Sequence, residues 1–209
     1  MMIMSVFLGI VGSYTLYFWW SIDWWHPQNI TGTIFGIEDF ITGFASGGIM
    51  SVFYEVVFQK KYCTRINDQT THRPRTRTIL FLLFFITATL IWGFRVHSFW
   101  ASVISMALIS SVIIYFRKDL VAHALLTGVG MVVASLFFYY PIIVLYPEWV
   151  SVTYDQSLSG IKLSGIPVEE LVFWFLSGVL WGPLYKYWKN EQVCDPETVT
   201  QGRTRLIKL

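Results

Sequence analysis

The sequence predicts an all-α integral membrane protein: a bundle of about six transmembrane helices built as two pseudo-repeats, each with an acidic pair at a helix N-terminus. Three observations carry this. Of the 209 residues 55% are hydrophobic and only 13% charged, against about 25% charged in a soluble domain. The apolar residues gather into six stretches long enough for a hydrocarbon core of roughly 30 Å, near residues 2–20, 32–58, 78–94, 98–116, 120–146 and 166–188. Finally, a shift of 131 positions lays Glu38 and Asp39 on Glu169 and Glu170, Phe44 on Phe175, Ser46 on Ser177 and Gly47 on Gly178. The repeat motifs occupy 36–48 and 165–178 of a bundle that runs over 1–188, with a polar tail at 189–209.

The first span has no basic residue ahead of it and no small-residue cleavage site, so it reads as a retained helix. It ends in Tyr17, Trp19, Trp20, Trp24 and Trp25, residues expected as an aromatic belt at the water interface. Asp23 among them reads as an exposed loop acid, and Asn29-Ile30-Thr31 fits a glycosylation sequon. The second span opens with Glu38 and Asp39 and continues through Gly43, Ala45, Ser46, Gly47 and Gly48, small residues that let another helix approach closely. Asp39, Gly43, Ser46 and Gly47 share one face, which therefore points into the bundle. Glu55 at the far end has basic residues nearby and reads as a snorkelling surface acid.

The polar loop 59–77 carries Lys60, Lys61, Arg65, Arg73, Arg75 and Arg77. Arg117 and Lys118 follow the fourth span, and Lys186, Lys189, Arg203, Arg205 and Lys208 the sixth, while Arg95 and Lys162 fall on the opposite side. By the positive-inside rule the protein sits in the cell membrane as a multi-pass protein with both termini cytoplasmic, its basic loops beside lipid headgroups rather than on nucleic acid. Cys63 and Cys194 both fall on that cytoplasmic side, so neither a disulfide framework nor a thiolate metal site is implied. Arg95, in the short outer link between the third and fourth spans, is a candidate partner for one acidic pair, since an unpaired carboxylate near hydrocarbon is costly. The fifth span holds His123 near its inner end and Tyr139, Tyr140 and Pro141 near its outer one; the loop 147–165 is a candidate lid.

The sixth span starts Gly165-Ile166-Pro167-Val168-Glu169-Glu170. Pro167 fits the first helical position, which makes Glu169 the third residue and Glu170 the fourth. Such acids stabilise a helix dipole by about 0.3–1 kcal/mol, so capping accounts for part of their placement. Acids in membrane segments are nevertheless functional candidates, and four of the five here form the two matched pairs. Two adjacent carboxylates in a low-dielectric site do not both ionise cheaply, so one is expected to hold a proton beside an acceptor, as general acid–base chemistry needs. Phe40, Phe44, Phe173, Trp174, Phe175 and Trp181 stand around the pairs, and aromatic faces stabilise a carbocation. The candidate catalytic residues are Glu169, Glu170, Glu38 and Asp39; Phe40, Phe44, Phe173, Trp174 and Trp181 are the candidate substrate-binding residues.

At these residues the sequence resembles the membrane lycopene cyclases found as heterodimeric or fused proteins in actinobacteria and archaea and as one domain of a bifunctional fungal enzyme. Pro167-Val168-Glu169-Glu170 is similar to that family's Pro-x-Glu-Glu motif in full, whereas Ile37-Glu38-Asp39-Phe40 matches its first copy in the acids alone. Six spans are one or so fewer than the resemblance implies for a fused cyclase. The resemblance implies proton-initiated ring closure at the end of an acyclic carotenoid taken from the bilayer, with one acid protonating a terminal double bond and a base later removing a proton. A related terpenoid or meroterpenoid cyclase, or a carotenoid hydratase, needs the same acids. From another class, a small proton-coupled transporter or a carotenoid-binding protein stays open, as does assembly as a homo-oligomer.

Several cofactors are set aside. No lysine lies in spans three to five to anchor retinal, and the four histidines His26, His72, His97 and His123 are scattered over both sides. Gly128-Val129-Gly130 lacks the strand context of a dinucleotide fingerprint, and no Asp-rich motif suggests magnesium-dependent diphosphate chemistry. The expectation is an enzyme with neither cofactor nor metal.

Overall fold

The computed structural model describes residues 1–26, 32–33, 36–64, 73–154 and 159–194. The sequon at 29–31, Arg65, His72, Asp155 and the tail beyond residue 194 lie outside the described residues.

Seven helices form. They are α1 (Met2–Asp23), α2 (Ile37–Val57), α3 (Thr76–Gly93), α4 (Ser98–Phe116), α5 (Val121–Leu145), the short α6 (Trp149–Thr153) and α7 (Val168–Lys189). The chain is a multi-pass membrane protein: five of these helical segments are long and apolar enough to cross a membrane, the fifth being α5 with the turn that leads into it. The sixth predicted span, α7, has the length, 22 residues, but its two opening glutamates lower its mean hydropathy. Both α1 and α3 end in a π-helical turn, Leu16–Trp20 and Thr89–Gly93, a feature that rotates the residues after it relative to a regular helix and is frequent at functional sites.

Small residues set the helix pairing, as their spacing predicts. A Cβ at Gly43 would lie 2.5 Å from the Leu8 carbonyl oxygen and one at Gly47 2.7 Å from that of Met4, so α1 and α2 run in backbone contact. In the second half, a Cβ at Gly178 would lie 2.8 Å from both Gly128 Cα and the Thr127 carbonyl oxygen, which seats α7 on α5 in the same way. The start of α2 at Ile37 and of α7 at Val168 keeps the 131-residue shift. Beyond its contact with α5, α7 packs against α4 and α2, and its Leu180, Trp181, Leu184 and Tyr187 join the main core with Met4, Leu8, Ile79, Leu83 and Ile109.

At the Lys186 end of α7 the structure departs from the sequence reading. Loop 59–77 is not wholly irregular, nor is the chain after α7: β1 (Tyr62–Thr64) pairs antiparallel with a strand at Glu191–Val193, Tyr62 opposite Val193. This ladder brings Cys63 and Cys194 into a disulfide, with Cα atoms 5.5 Å apart. No local pattern announces that bond, because it depends on a pairing across 131 residues. Glu55 is not a lone surface acid; it forms an ion pair with Lys186, which also holds Glu191 at 2.9 Å. Beside them, Tyr62 donates or accepts across 2.6 Å to His123 Nδ1, and burial, followed by the neighbouring Tyr54 and then Glu55, raises the Tyr62 phenol above its ordinary value.

At the opposite end, two further expectations are corrected. Trp19 and Trp24 are buried inside the bundle rather than lying in an interfacial belt, because the π-turn and last turn of α1 direct them inward. Asp23 is not a free loop acid: both its carboxylate oxygens accept from the Ser98 N–H at 3.1 Å and so cap α4 from a distance. A β-hairpin (β2, Lys162–Leu163; β3, Ile166–Pro167) leads into α7, and the strand at Glu191–Val193 is accordingly β4. The His26 N–H donates to the Thr153 carbonyl at 2.8 Å and Trp25 bridges to Tyr154, so the residues just after α1 meet the end of α6.

Candidate active site

Pro167 is the N-cap of α7, with φ −57° and ψ 137°, because its extended backbone pairs with Lys162 in the hairpin. Helix geometry therefore begins at Val168 and each glutamate stands one place earlier than its predicted position: Glu169 is second and Glu170 third. Both are buried, at 3% and 4% exposure, and they point in different directions. Glu169 Oε1 accepts from the Ser159 N–H at 2.8 Å and so ties down the loop before the hairpin. Glu170 Oε1 accepts from the Tyr139 hydroxyl at 2.6 Å and from Trp174 Nε1, one turn along its own helix, at 2.9 Å. Glu170 Oε2 is buried without a hydrogen bond among the described residues. The Tyr154 phenol lies beside the same carboxyl; burial, then the Glu170 charge, push it well above its ordinary value, so it stays protonated.

The first acidic pair divides similarly. Asp39, at the third helical position, accepts from the Gly36 N–H at 2.7 Å, the capping role that first-turn acids fill. The Glu38 carboxylate lies back against Gly36.

One member of each pair lines a shared cavity of about 200 Å3. On α2 its wall is Asp39, Thr42, Gly43, Ser46 and Met50; on α7 it is Glu170, Phe173, Trp174, Ser177 and Trp181. Every one of these five pairs is 131 residues apart, so the cavity is built from the same face of the same repeated helix, used twice. The two walls differ in bulk. The α2 wall is mostly small and the α7 wall aromatic, and the aromatic side is extended by Trp20 and Trp24 of α1: Phe173 lies 5.2 Å from Trp20 and 5.0 Å from Trp24, ring centre to ring centre, both edge-on.

Of the candidates read from the sequence, the structure brings Asp39, Glu170, Phe173, Trp174 and Trp181 around the cavity. Glu38, Glu169, Phe40 and Phe44 are not among its lining residues; Phe40 packs on Gly9 of α1 and against Phe44, 6.1 Å away. Arg95 is exposed in the turn after α3 with φ 55°, and its guanidinium forms no ion pair with either acidic pair among the described residues. Sequence reasoning missed Tyr139, Trp20, Trp24, Ser102 and Tyr154. For the two tryptophans the one available signal was their number beside an acid, which reads equally well as an interface. No three metal-ligating side chains converge among the described residues.

Several of the cavity's other polar groups are engaged in hydrogen bonds. The hydroxyls of Thr15, Thr42 and Ser46 donate to carbonyls of their own helices at 2.9, 2.8 and 2.6 Å, and Ser102 accepts from Trp20 Nε1 at 3.0 Å. The interior is left apolar and aromatic, with a carboxyl group from each half.

Comparison with known proteins adds one finding. Residues 97–188, running from the start of α4 nearly to the end of α7, match the family model described as lycopene cyclase. No curated protein and no solved structure matches the chain. The matched segment contains Tyr139, Glu169, Glu170, Phe173, Trp174 and Trp181, while the first acidic pair precedes it. Over residues 97–188, therefore, the chain is similar to the lycopene cyclase family.

Proposed function

We propose that the protein is a cofactor-independent cyclase that closes a ring at the end of an acyclic carotenoid, lycopene being the reference substrate. One observation carries the reading: a buried carboxyl, Glu170, one of whose oxygens has no hydrogen bond among the described residues, standing in an apolar cavity walled by aromatic rings. Glu170 gives its proton to a terminal double bond; the resulting cation is attacked by a neighbouring double bond of the same chain, which closes the ring. The cation then moves to a ring carbon, and loss of an adjacent proton restores a double bond. One proton enters and one leaves, so the step is an isomerisation that consumes neither reductant nor oxidant. Asp39, on the opposite wall, serves as the base.

The surroundings suit each stage. Trp20, Trp24, Phe173 and Trp174 offer π faces to the cation, an attraction that strengthens where water is excluded. The hydroxyls of Thr15, Thr42 and Ser46 donate to carbonyls of their own helices, so none of them competes with Glu170 as a proton donor. The cavity lies below the roughly 300–1,000 Å3 that encloses a drug-sized ligand; it takes one end of a long molecule whose remainder stays in the bilayer.

Lycopene-accumulating cells expressing the chain test this by pigment analysis. Cyclic carotenoids are expected, together with their disappearance in Glu170→Gln. Untouched lycopene from a well-folded membrane protein overturns the substrate, and hydroxylated acyclic products would make the protein a hydratase instead.

A further inference from the structure

Building on Glu170 as the acid, we infer that Tyr139 and Trp174 are positioning residues that hold its transferable proton on Oε2. The indole N–H of Trp174 can only donate, and it sits 2.9 Å from Glu170 Oε1 and 3.1 Å from the Tyr139 oxygen. With its oxygen receiving that N–H, Tyr139 directs its own O–H to Oε1, 2.6 Å away. Two donors thus converge on Oε1, while Oε2 has no hydrogen bond among the described residues. A neutral carboxyl has a single O–H. Placed on Oε1, it would displace the phenol hydrogen from a short bond in a buried site, where an unmade hydrogen bond is costly. Placed on Oε2, it displaces neither of these two donors. Oε1 is then the carbonyl oxygen, and the proton is carried by the oxygen that has no hydrogen bond among the described residues.

The arrangement also serves the moment after transfer. The carboxylate that remains meets two donors already aimed at it, so its charge is stabilised without reorganisation. In the first half the position equivalent to Trp174 is Gly43, and Asp39 accepts from the Gly36 N–H.

Infrared spectroscopy of the purified protein in lipid reads the proton directly, alongside kinetics on lycopene. A protonated-carboxyl C=O band that Glu170→Gln removes is expected; in Tyr139→Phe it moves to higher frequency, because the carbonyl oxygen has lost a donor. In the same variant kcat falls about 10- to 100-fold, the range for a lost hydrogen bond to a charged group, with KM little changed. Trp174→Phe, which keeps a ring but removes the N–H, moves the band in the same direction by less, and it serves as the second probe should Tyr139→Phe fail to fold. A band removed by Glu170→Gln yet unmoved in both variants overturns the assignment, as does the absence of any such band. Full activity in Glu170→Gln removes Glu170 as the acid and overturns the inference, whereas a band behaving as described in a protein that leaves lycopene untouched strikes at the cyclase reading alone and leaves the proton placement standing.

Discussion

Glu169 and Glu170 are the same residue type in adjacent positions, both almost wholly buried, yet one holds a loop and the other faces the cavity. Adjacent residues on a helix point about 100° apart, and that angle is what divides them. Glu170→Gln is therefore expected to abolish cyclisation, a loss of about 100- to 10,000-fold if general-acid catalysis is removed. Glu169→Gln keeps an oxygen that can accept from Ser159 N–H, so its loss is smaller and falls chiefly on KM. Initial rates on lycopene in membranes distinguish the two; equal losses would remove the distinction. For Asp39 the informative change is Asp39→Asn. Asparagine keeps a side-chain oxygen that can accept from the Gly36 N–H, so the midpoint of thermal unfolding stays in place while turnover drops about 100-fold or more if the carboxylate is the base. Unchanged turnover would reduce Asp39 to a cap.

At the scale of the elements, α2 and α7 each rest on a neighbour through glycines that leave no space for a Cβ. At Gly178 the obstructing atoms are backbone, Gly128 Cα and the Thr127 carbonyl at 2.8 Å, and backbone does not swing aside. Gly178→Ala is expected to cost about 1–3 kcal/mol, the range for overpacking, and to move the Glu170 wall with it. Gly93 is the control: its added Cβ would meet Thr89 Cγ2 at 3.7 Å, an ordinary contact. Thermal unfolding in detergent of the two alanine variants should separate them, and a Gly178→Ala protein as stable as Gly93→Ala would show that α5 and α7 are not locked as described. The π-turns act at this scale as well. By rotating the end of α1, the turn at Leu16–Trp20 sends Trp19, Trp20 and Trp24 inward, where a regular helix read from sequence leaves them on an interface.

Over the whole molecule, the two halves meet in register. Cys63 and Cys194 occupy equivalent positions, as do Glu55 and Lys186 and the strand partners Tyr62 and Val193. A residue that touches its own counterpart lies near the axis relating two copies, so these three contacts mark the pseudo-twofold axis at the end of the bundle opposite the acidic pairs. The disulfide closes a loop spanning most of the chain. Its removal by Cys63→Ser is expected to cost about 2–4 kcal/mol, visible as a lower thermal midpoint that reductant reproduces in the unmodified protein and does not lower further in the variant. A midpoint indifferent to reductant would mean that the β1–β4 ladder holds without it.

The sequence by itself determined the helical membrane fold, the 131-residue repeat and the identity of the acids, because hydropathy and spacing are written locally and an acid in an apolar segment is conspicuous whatever surrounds it. It also indicated, through Gly43 and Gly47, which face of α2 turns inward. The tertiary structure alone decided which acid of each pair enters the cavity, since the roll of a helix about its axis is set by what it packs against. It alone supplied Tyr139 and the tryptophans of α1, which stand 31 and about 150 residues from Glu170 and reach it only when α5 and α1 are packed. The disulfide belongs with these: a bond across 131 residues exists only once the two halves have closed upon each other.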